Sequence, residues 1–333
     1  MQEIDLHIKK QDLKRYIDRF PEARMLVIGD IILDEYIWGD VSRISPEAPV
    51  PIVEIRSDEK RLGGAANVVH NIASLKGRVQ ICGVVGDDIC GRDIVEIING
   101  LGLKTDGIIK DTGRCTSIKT RVIGYNQQMM RIDREKKHPV ADNITDSILA
   151  FLKEEIRDTD AVIIADYGKG VVTPRLMKGL LDLISGTDII VGVDPKPVNF
   201  DCYRGIDVIT PNHHEAGAFC RFEIKDEETL IRAGRKMLDE LQCRAVLITQ
   251  GKDGMTLFEN GREPGHISTV ARKVFDVSGA GDTVIAAFCL GLASGMDRQS
   301  AAIVANIAAG IVVGEVGTSV VRIDELKKAV DSR

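Results

Sequence analysis

From Met25 onward the chain alternates short, nearly uninterrupted apolar runs with stretches of helical periodicity, and this alternation limits the fold more than any other feature of its 333 residues. The runs MLVIGDIIL (25–33), AVIIADYGKG (161–170), DIIVGVDPK (188–196), DVITPN (207–212) and AVLITQG (245–251) read as strands buried on both faces. Between them, 144–156, 174–184 and a stretch ending near Leu241 read as helices. Strands of this kind separated by helices join through right-handed crossovers into a mostly parallel sheet with helices on both faces, an α/β class. A length of 333 residues would suggest about two domains. No low-complexity linker or fixed-period repeat divides the chain, so one α/β domain over 1–333 is expected.

Two segments break the pattern. Glu35 to Arg56 alternates polar and apolar residues and holds three prolines, and Ser117 to Asp133 looks extended with a turn at Asn126-Gln127-Gln128. Both suit a small exposed sheet, so lid excursions are expected at about 35–56 and 117–133. Exposed sheet edges invite pairing with a copy, which predicts a homodimer through the lids. The first twenty residues read as an amphipathic surface helix of mixed charge, without the apolar core of a leader.

Composition narrows the function. A net charge of −6 speaks against binding duplex nucleic acid, and 4% aromatics with one Trp speaks against stacking single strands. Seven cysteines scattered without a CxxC pair fit reduced thiols and not a disulfide framework or a zinc site. The uncharged runs 283–296 and 299–314 are shorter than the ~20 residues that cross a bilayer. A cytoplasmic protein is expected, with no membrane or nucleic-acid partner.

The string DVSGAGDTVIAAFCLGL (276–292) places Ser278, Gly279, Ala280 and Gly281 at the start of an apolar helix, where backbone N–H groups can cradle an anion. Asp282 beside such a cradle suits a base that takes a proton from a hydroxyl attacking bound phosphate. The string alone fits equally well a glycine-rich turn with an ordinary first-turn acid. Neither GxGxxG nor GxxxxGK[ST] occurs, so a nucleotide site must be built another way.

GGAANVVHNIASLKG (63–77) with GVVGDDICG (83–91), followed by DVSGAGDT, resembles the two signatures of the ribokinase-like, PfkB-type carbohydrate kinases, over nearly the whole chain from Met25 to about Val330. The segments SRISPEAPVPIVEI (42–55), NQQMMRID (126–133), ADYGKG (165–170), DPK (194–196), TPNHHE (210–215) and GEVGTS (314–319) resemble the branch of that family acting on heptose 7-phosphate. The resemblance implies a ribokinase-like fold, ATP and Mg²⁺, in some members a monovalent cation, and a phosphorylated heptose as acceptor. It implies phosphorylation of D-glycero-D-manno-heptose 7-phosphate at the anomeric hydroxyl, in ADP-heptose and lipopolysaccharide core biosynthesis. Members of that branch are often fused to an adenylyltransferase, but no H-x-G-H motif occurs in these 333 residues, so that second activity is not expected of them.

Carried over position by position, the resemblance makes Asp282 the catalytic base and Gly279, Ala280 and Gly281 the anion hole. ATP would lie along Asn212, His213, His214, Glu215, Thr249, Gly251, Gly254 and Asn306, with Glu215 supporting Mg²⁺ through water. Asn212 and Glu215 fit a helix capping box equally well. Adjacent His213 and His214 are expected to point apart and not to bind zinc. Asp30, Asp34, Gly64, Asn67, Gln128 and Asp194 would hold the sugar, and Arg43, Arg131, Lys169 and Lys196 its phosphate. Trp38 is a candidate roof for the sugar. A kinase for ribose or fructose 1-phosphate, or a non-catalytic sugar or nucleotide sensor, are the alternatives; the intact GAGD disfavours the sensor.

Overall fold

The computed structural model describes residues 1–4, 8–125, 127–270, 276–315 and 317–332. One sheet runs through the molecule. From one edge its strands are Gln2–Glu3, Gly265–Ile267, Met255–Glu259, Ala245–Thr249, Val208–Ile209, Ile190–Asp194, Ala161–Ala165, Arg24–Ile44, Arg78–Gly86 and Ile108–Asp111. Pairing is parallel throughout, except that Met255–Glu259 runs antiparallel to both of its neighbours. The expected mostly parallel α/β sheet is present.

Successive residues of the central strands enter opposite cores, as the unbroken apolar runs require. Met25 and Val27 pack on one face with Ile163 and Leu247; Leu26 and Ile28 pack on the other with Val162 and Ile248. Helices Ala65–Ser74, Ala280–Ala293 and Arg298–Val312 cover the first face, and Asp142–Glu155, Pro174–Ile184 and Glu227–Leu241 the second. Asp282 to Gly291 are buried without interruption. A helix apolar on all sides belongs in the interior, and here it carries the GAGD string at its N-terminus.

The lid differs from its sequence reading in one respect. Met25–Leu33 and the first lid strand are a single 21-residue strand, Arg24–Ile44. Residues 24–30 pair with Arg78–Val84 and 25–29 with Ala161–Ala165, whereas 31–44 pair with Pro51–Gly64 and 32–39 with Ser117–Gly124. No proline occurs in it before Pro46, and its two Gly-Asp pairs lie inside the pairing, with Gly29 close against the Ala165 backbone and Gly39 against that of Glu54, so the strand runs on and couples the lid directly to the core sheet. Gln127–Arg134 closes the lid as the partner of Ser117–Gly124. The predicted turn at 126–128 is shorter: Tyr125 takes a left-handed conformation, Gln127 is already strand, and Asn126 lies outside the described residues. At the N-terminus the helix is confined to Lys10–Ile17, and Gln2–Glu3 is an edge strand. Among the described residues no helix is long and apolar enough to cross a membrane, and all seven cysteines are free.

Candidate functional site

Parallel strands deliver their C-terminal ends to one edge of the sheet, where α/β proteins bind ligands. At that edge a cleft of about 250 Å³ is lined by Asp34, Gly64, Lys119, Arg121, Tyr167, Asp194, Lys196, Thr210, Asn212, Glu215, Thr249, Ser278, Gly279, Gly281, Asp282 and Thr318.

Asp282 is almost wholly buried at the start of helix Ala280–Ala293. Asn67 Nδ2 donates to its Oδ2 at 2.6 Å, and the Tyr167 hydroxyl donates to Oδ1. Asn67 belongs to a ladder between two helices: Asn71 Nδ2 donates to the Asn67 carbonyl at 2.9 Å, and the Thr283 hydroxyl to Asn71 Oδ1 at 2.9 Å. Gly279 ends the preceding loop at φ 79, and a Cβ there would lie 2.7 Å from Asn67 Nδ2. Glycine is thus required both for the left-handed turn and for the approach of the loop to Asn67. Asp276 holds the same loop, accepting from Ser278 N at 2.8 Å and Gly317 N at 3.0 Å.

Burial pushes the Asp282 carboxyl up to about 6, against the stabilising bonds from Tyr167 and Asn67. Burial and the nearby Asp282 and Glu215 charges hold Asp194 well above the usual carboxylate range. With its carboxyl at about 6, Asp282 is largely ionised at neutral pH. Tyr167→Phe removes a bond that favours the charged form, so the acid limb of kcat/KM should move to higher pH. The expected loss is about tenfold at pH 6, smaller at pH 8; an equal loss at both pH values would count against this role.

On the opposite wall Asn212 and Glu215 do form a capping box: Asn212 Oδ1 accepts from His214 N and Glu215 N, and Glu215 Oε2 from Asn212 N. Glu215 Oε1 also receives Lys196 Nζ at 2.5 Å. Among the described residues no cluster of three or more His, Cys, Asp or Glu forms a metal cage. The cleft nevertheless offers carboxylate oxygens from Asp194 and Glu215. That donor type suits a hard divalent ion which keeps most of its waters and phosphate ligands.

Several expected residues lie elsewhere. Asp30 is buried beneath the cleft, its Oδ2 accepting from Tyr167 N and Lys169 N at 2.9 Å and its Oδ1 from Val171 N at 3.1 Å. It fixes the Tyr167 loop and is not in the cleft wall. Lys169 is paired with Glu135 at 2.6 Å, and Arg131 with Asp133 at 2.8 Å. Arg43 and Gln128 are exposed on the lid, and Trp38 stacks on Tyr36. His213 and His214 do not diverge, since their rings lie 3.9 Å apart, and neither lines the cleft. Gly251 and Gly254 form a turn beyond Thr249, and Asn306 Nδ2 donates to the Ser268 carbonyl at 2.8 Å. Ala280 is the first residue of the helix behind Gly279. Sequence reasoning did not single out Tyr167, Asn71, Lys119 or Arg121. Lys119 and Arg121 carried one signal: their i,i+2 spacing on an extended segment places them on one face.

The profile of the pfkB family carbohydrate kinases matches residues 23–324. The chain is 47% identical over 311 residues to a bifunctional protein HldE of Desulfatibacillum aliphaticivorans, covering 93% of this chain and 64% of that one. It is 43% identical over 319 residues to a bifunctional protein HldE of Geotalea uraniireducens, with 96% and 65% covered. The chain thus spans less than two thirds of these relatives' length. Among solved structures, ribokinase of Arabidopsis thaliana with ribose and ATP superposes at a TM-score of 0.73, with 20% identity and 92% and 98% of the chains covered. Phosphofructokinase-2 of Escherichia coli with substrates and products gives 0.75, at 16% identity and 93% and 100% coverage. The fold is ribokinase-like, as the signatures implied, and the chain belongs to the pfkB family of carbohydrate kinases.

Proposed function

We propose that this kinase transfers the γ-phosphoryl group of ATP to the anomeric hydroxyl of D-glycero-D-manno-heptose 7-phosphate, giving heptose 1,7-bisphosphate. The observation that carries the transfer chemistry is Asp282: a buried carboxylate at a helix N-terminus, held by Asn67 and Tyr167. The choice of heptose is supported by the segments named above and by the 40–47% identity to HldE proteins. Asp282 accepts the hydroxyl proton as the oxygen attacks phosphorus in line. The N–H groups that follow Gly279 face the transferring phosphoryl.

ATP would lie along the strand ends near Asn212 and Thr249, and Asp34 would orient the sugar under the lid. Asp194 and Glu215, the latter through water, would hold Mg²⁺, which when bound neutralises charge on the β- and γ-phosphates. A panel of acceptors with ATP tests the reading. Heptose 7-phosphate should exceed ribose, fructose 1-phosphate and unphosphorylated heptose in kcat/KM; equal use of a free sugar refutes the choice of acceptor.

The lid also supports a homodimer. Ile44, Ile55, Tyr125, Met130 and Ile132 are each more than half exposed on its surface, and among the described residues Gln127–Arg134 has one unpaired edge. Apolar side chains beside a free edge favour pairing with a second lid. Light scattering at micromolar concentration should give twice the chain mass, and Ile55→Asp combined with Ile132→Asp should give the monomer. A monomeric parent protein would refute the dimer.

A further inference from the structure

The cations near the cleft differ in one respect. Arg121 is bound to Asp34 at 2.7 Å, Lys196 to Glu215 at 2.5 Å, Lys169 to Glu135 at 2.6 Å and Arg131 to Asp133 at 2.8 Å. Each already has its carboxylate. Lys119 lines the same cleft and, among the described residues, its ammonium has no hydrogen bond or ion pair; Nζ lies over the Tyr167 ring, 5.6 Å from the ring centre, where Lys196 Nζ also stands at 5.7 Å. The Asp34 carboxylate, whose charge favours the ammonium most, is already engaged by Arg121.

An ammonium in that position is unfavourable until an anion arrives. Burial pushes Lys119 below the usual lysine range, and the like charges of Lys169, Arg121 and Arg131 add to the effect, with Asp34 opposing. Partial desolvation and surrounding positive charge both favour a dianion over water as the partner. The placement is also specific to the acceptor. Lys119 stands on the lid strand Ser117–Gly124, two residues from Arg121, which holds Asp34. It faces the Tyr167 ring, whose hydroxyl bonds the Asp282 carboxylate, and its charge also favours the ionised form of Asp282.

We propose that Lys119 anchors a phosphate which the acceptor carries in addition to its reacting hydroxyl, so that this residue, and not the ion-paired Arg131, Lys169 or Lys196, selects phosphorylated sugars. The inference rests on the function proposed above and specifies how that acceptor is recognised. The same ammonium chemistry would suit the γ-phosphate of ATP, and kinetics separate the two sources.

The test compares the parent chain with Lys119→Met, Lys119→Gln and Lys119→Arg, using ATP with heptose 7-phosphate and with unphosphorylated heptose. Lys119→Met and Lys119→Gln should raise KM for heptose 7-phosphate about 30-fold, with a change in the ATP KM below about threefold. The preference for the phosphorylated acceptor should fall by the same factor, and Lys119→Arg should restore most of it. Equal loss of kcat with both acceptors assigns Lys119 to the transferring phosphoryl and overturns the proposal, as does an unchanged KM. The two readings fail separately. A parent chain that rejects heptose 7-phosphate but loses another sugar phosphate on Lys119→Met refutes the heptose and keeps the anchor. Use of heptose 7-phosphate with no penalty in the variants refutes the anchor and keeps the heptose.

Discussion

Asp282→Asn should lower kcat by about 10²–10⁴, the range that a positioned general base contributes, while ATP binding measured by calorimetry stays within about threefold. The geometry supports a loss of that size for two reasons. Asp282 stands in the first turn of helix Ala280–Ala293, directly after the left-handed glycine turn at Gly279, where transferring charge is well stabilised. The other cleft carboxylates are differently placed: Asp34 is paired with Arg121, Glu215 with Lys196, and burial together with the Asp282 and Glu215 charges raises the Asp194 affinity for protons. The asparagine amide retains an acceptor for one of the two donors, Asn67 or Tyr167, so the fold should survive. A kcat within tenfold of the parent value would remove Asp282 from the chemistry.

The second large effect is on stability. Asp30→Ala should lower stability by about 2–4 kcal/mol and Tm by about 5–10 °C, because the N–H groups of Tyr167, Lys169 and Val171 lose their common acceptor in a buried setting. One term opposes the loss. Burial and the nearby Asp166 charge push the Asp30 carboxyl up to about 6, so removing it relieves a poorly solvated charge. Three orphaned donors outweigh that relief, since each unsatisfied buried group costs on the order of 1–3 kcal/mol. Turnover should fall as well, because the loop that Asp30 fixes carries the Tyr167 hydroxyl to Asp282. Differential scanning calorimetry decides the matter; a Tm within 1 °C would show that Asp30 does not support the loop.

The alternation of apolar runs and helices was enough to read the parallel sheet, because side chains that leave a strand on both faces need cores on both faces. It was also enough to place Asp282, Gly279, Asn212, Thr249 and Asp194 at one end of the molecule, since each follows a strand or opens a helix. It could not separate residues that line the cleft from residues that support it. Asp30 and Asp34 lie four apart on one strand, yet the first turns inward to three backbone N–H groups and the second pairs with Arg121 in the cleft. Only the course of the 166–171 loop, fixed by tertiary contacts, distinguishes them.

The basic residues show the same limit. Arg131, Lys169 and Lys196 were conspicuous in sequence, but their carboxylate partners Asp133, Glu135 and Glu215 become visible only with side chains in place. Lys119 was inconspicuous for the converse reason. The i,i+2 spacing in SIKTRVIG puts it on the same face as Arg121 but does not tell the two apart; its character comes from Arg121 having taken Asp34. The length of the strand Arg24–Ile44 was hidden because its apolar half and its alternating half follow different patterns, one for each sheet it joins.

Phosphorus NMR of the product formed from ATP and heptose 7-phosphate tests the central claim most directly. The account predicts a new phosphomonoester resonance coupled to the anomeric proton, appearing with ADP and with the 7-phosphate signal retained, and absent with Asp282→Asn. A new phosphate coupled to any other carbon-bound proton, or release of ADP and inorganic phosphate without a sugar bisphosphate, would contradict it.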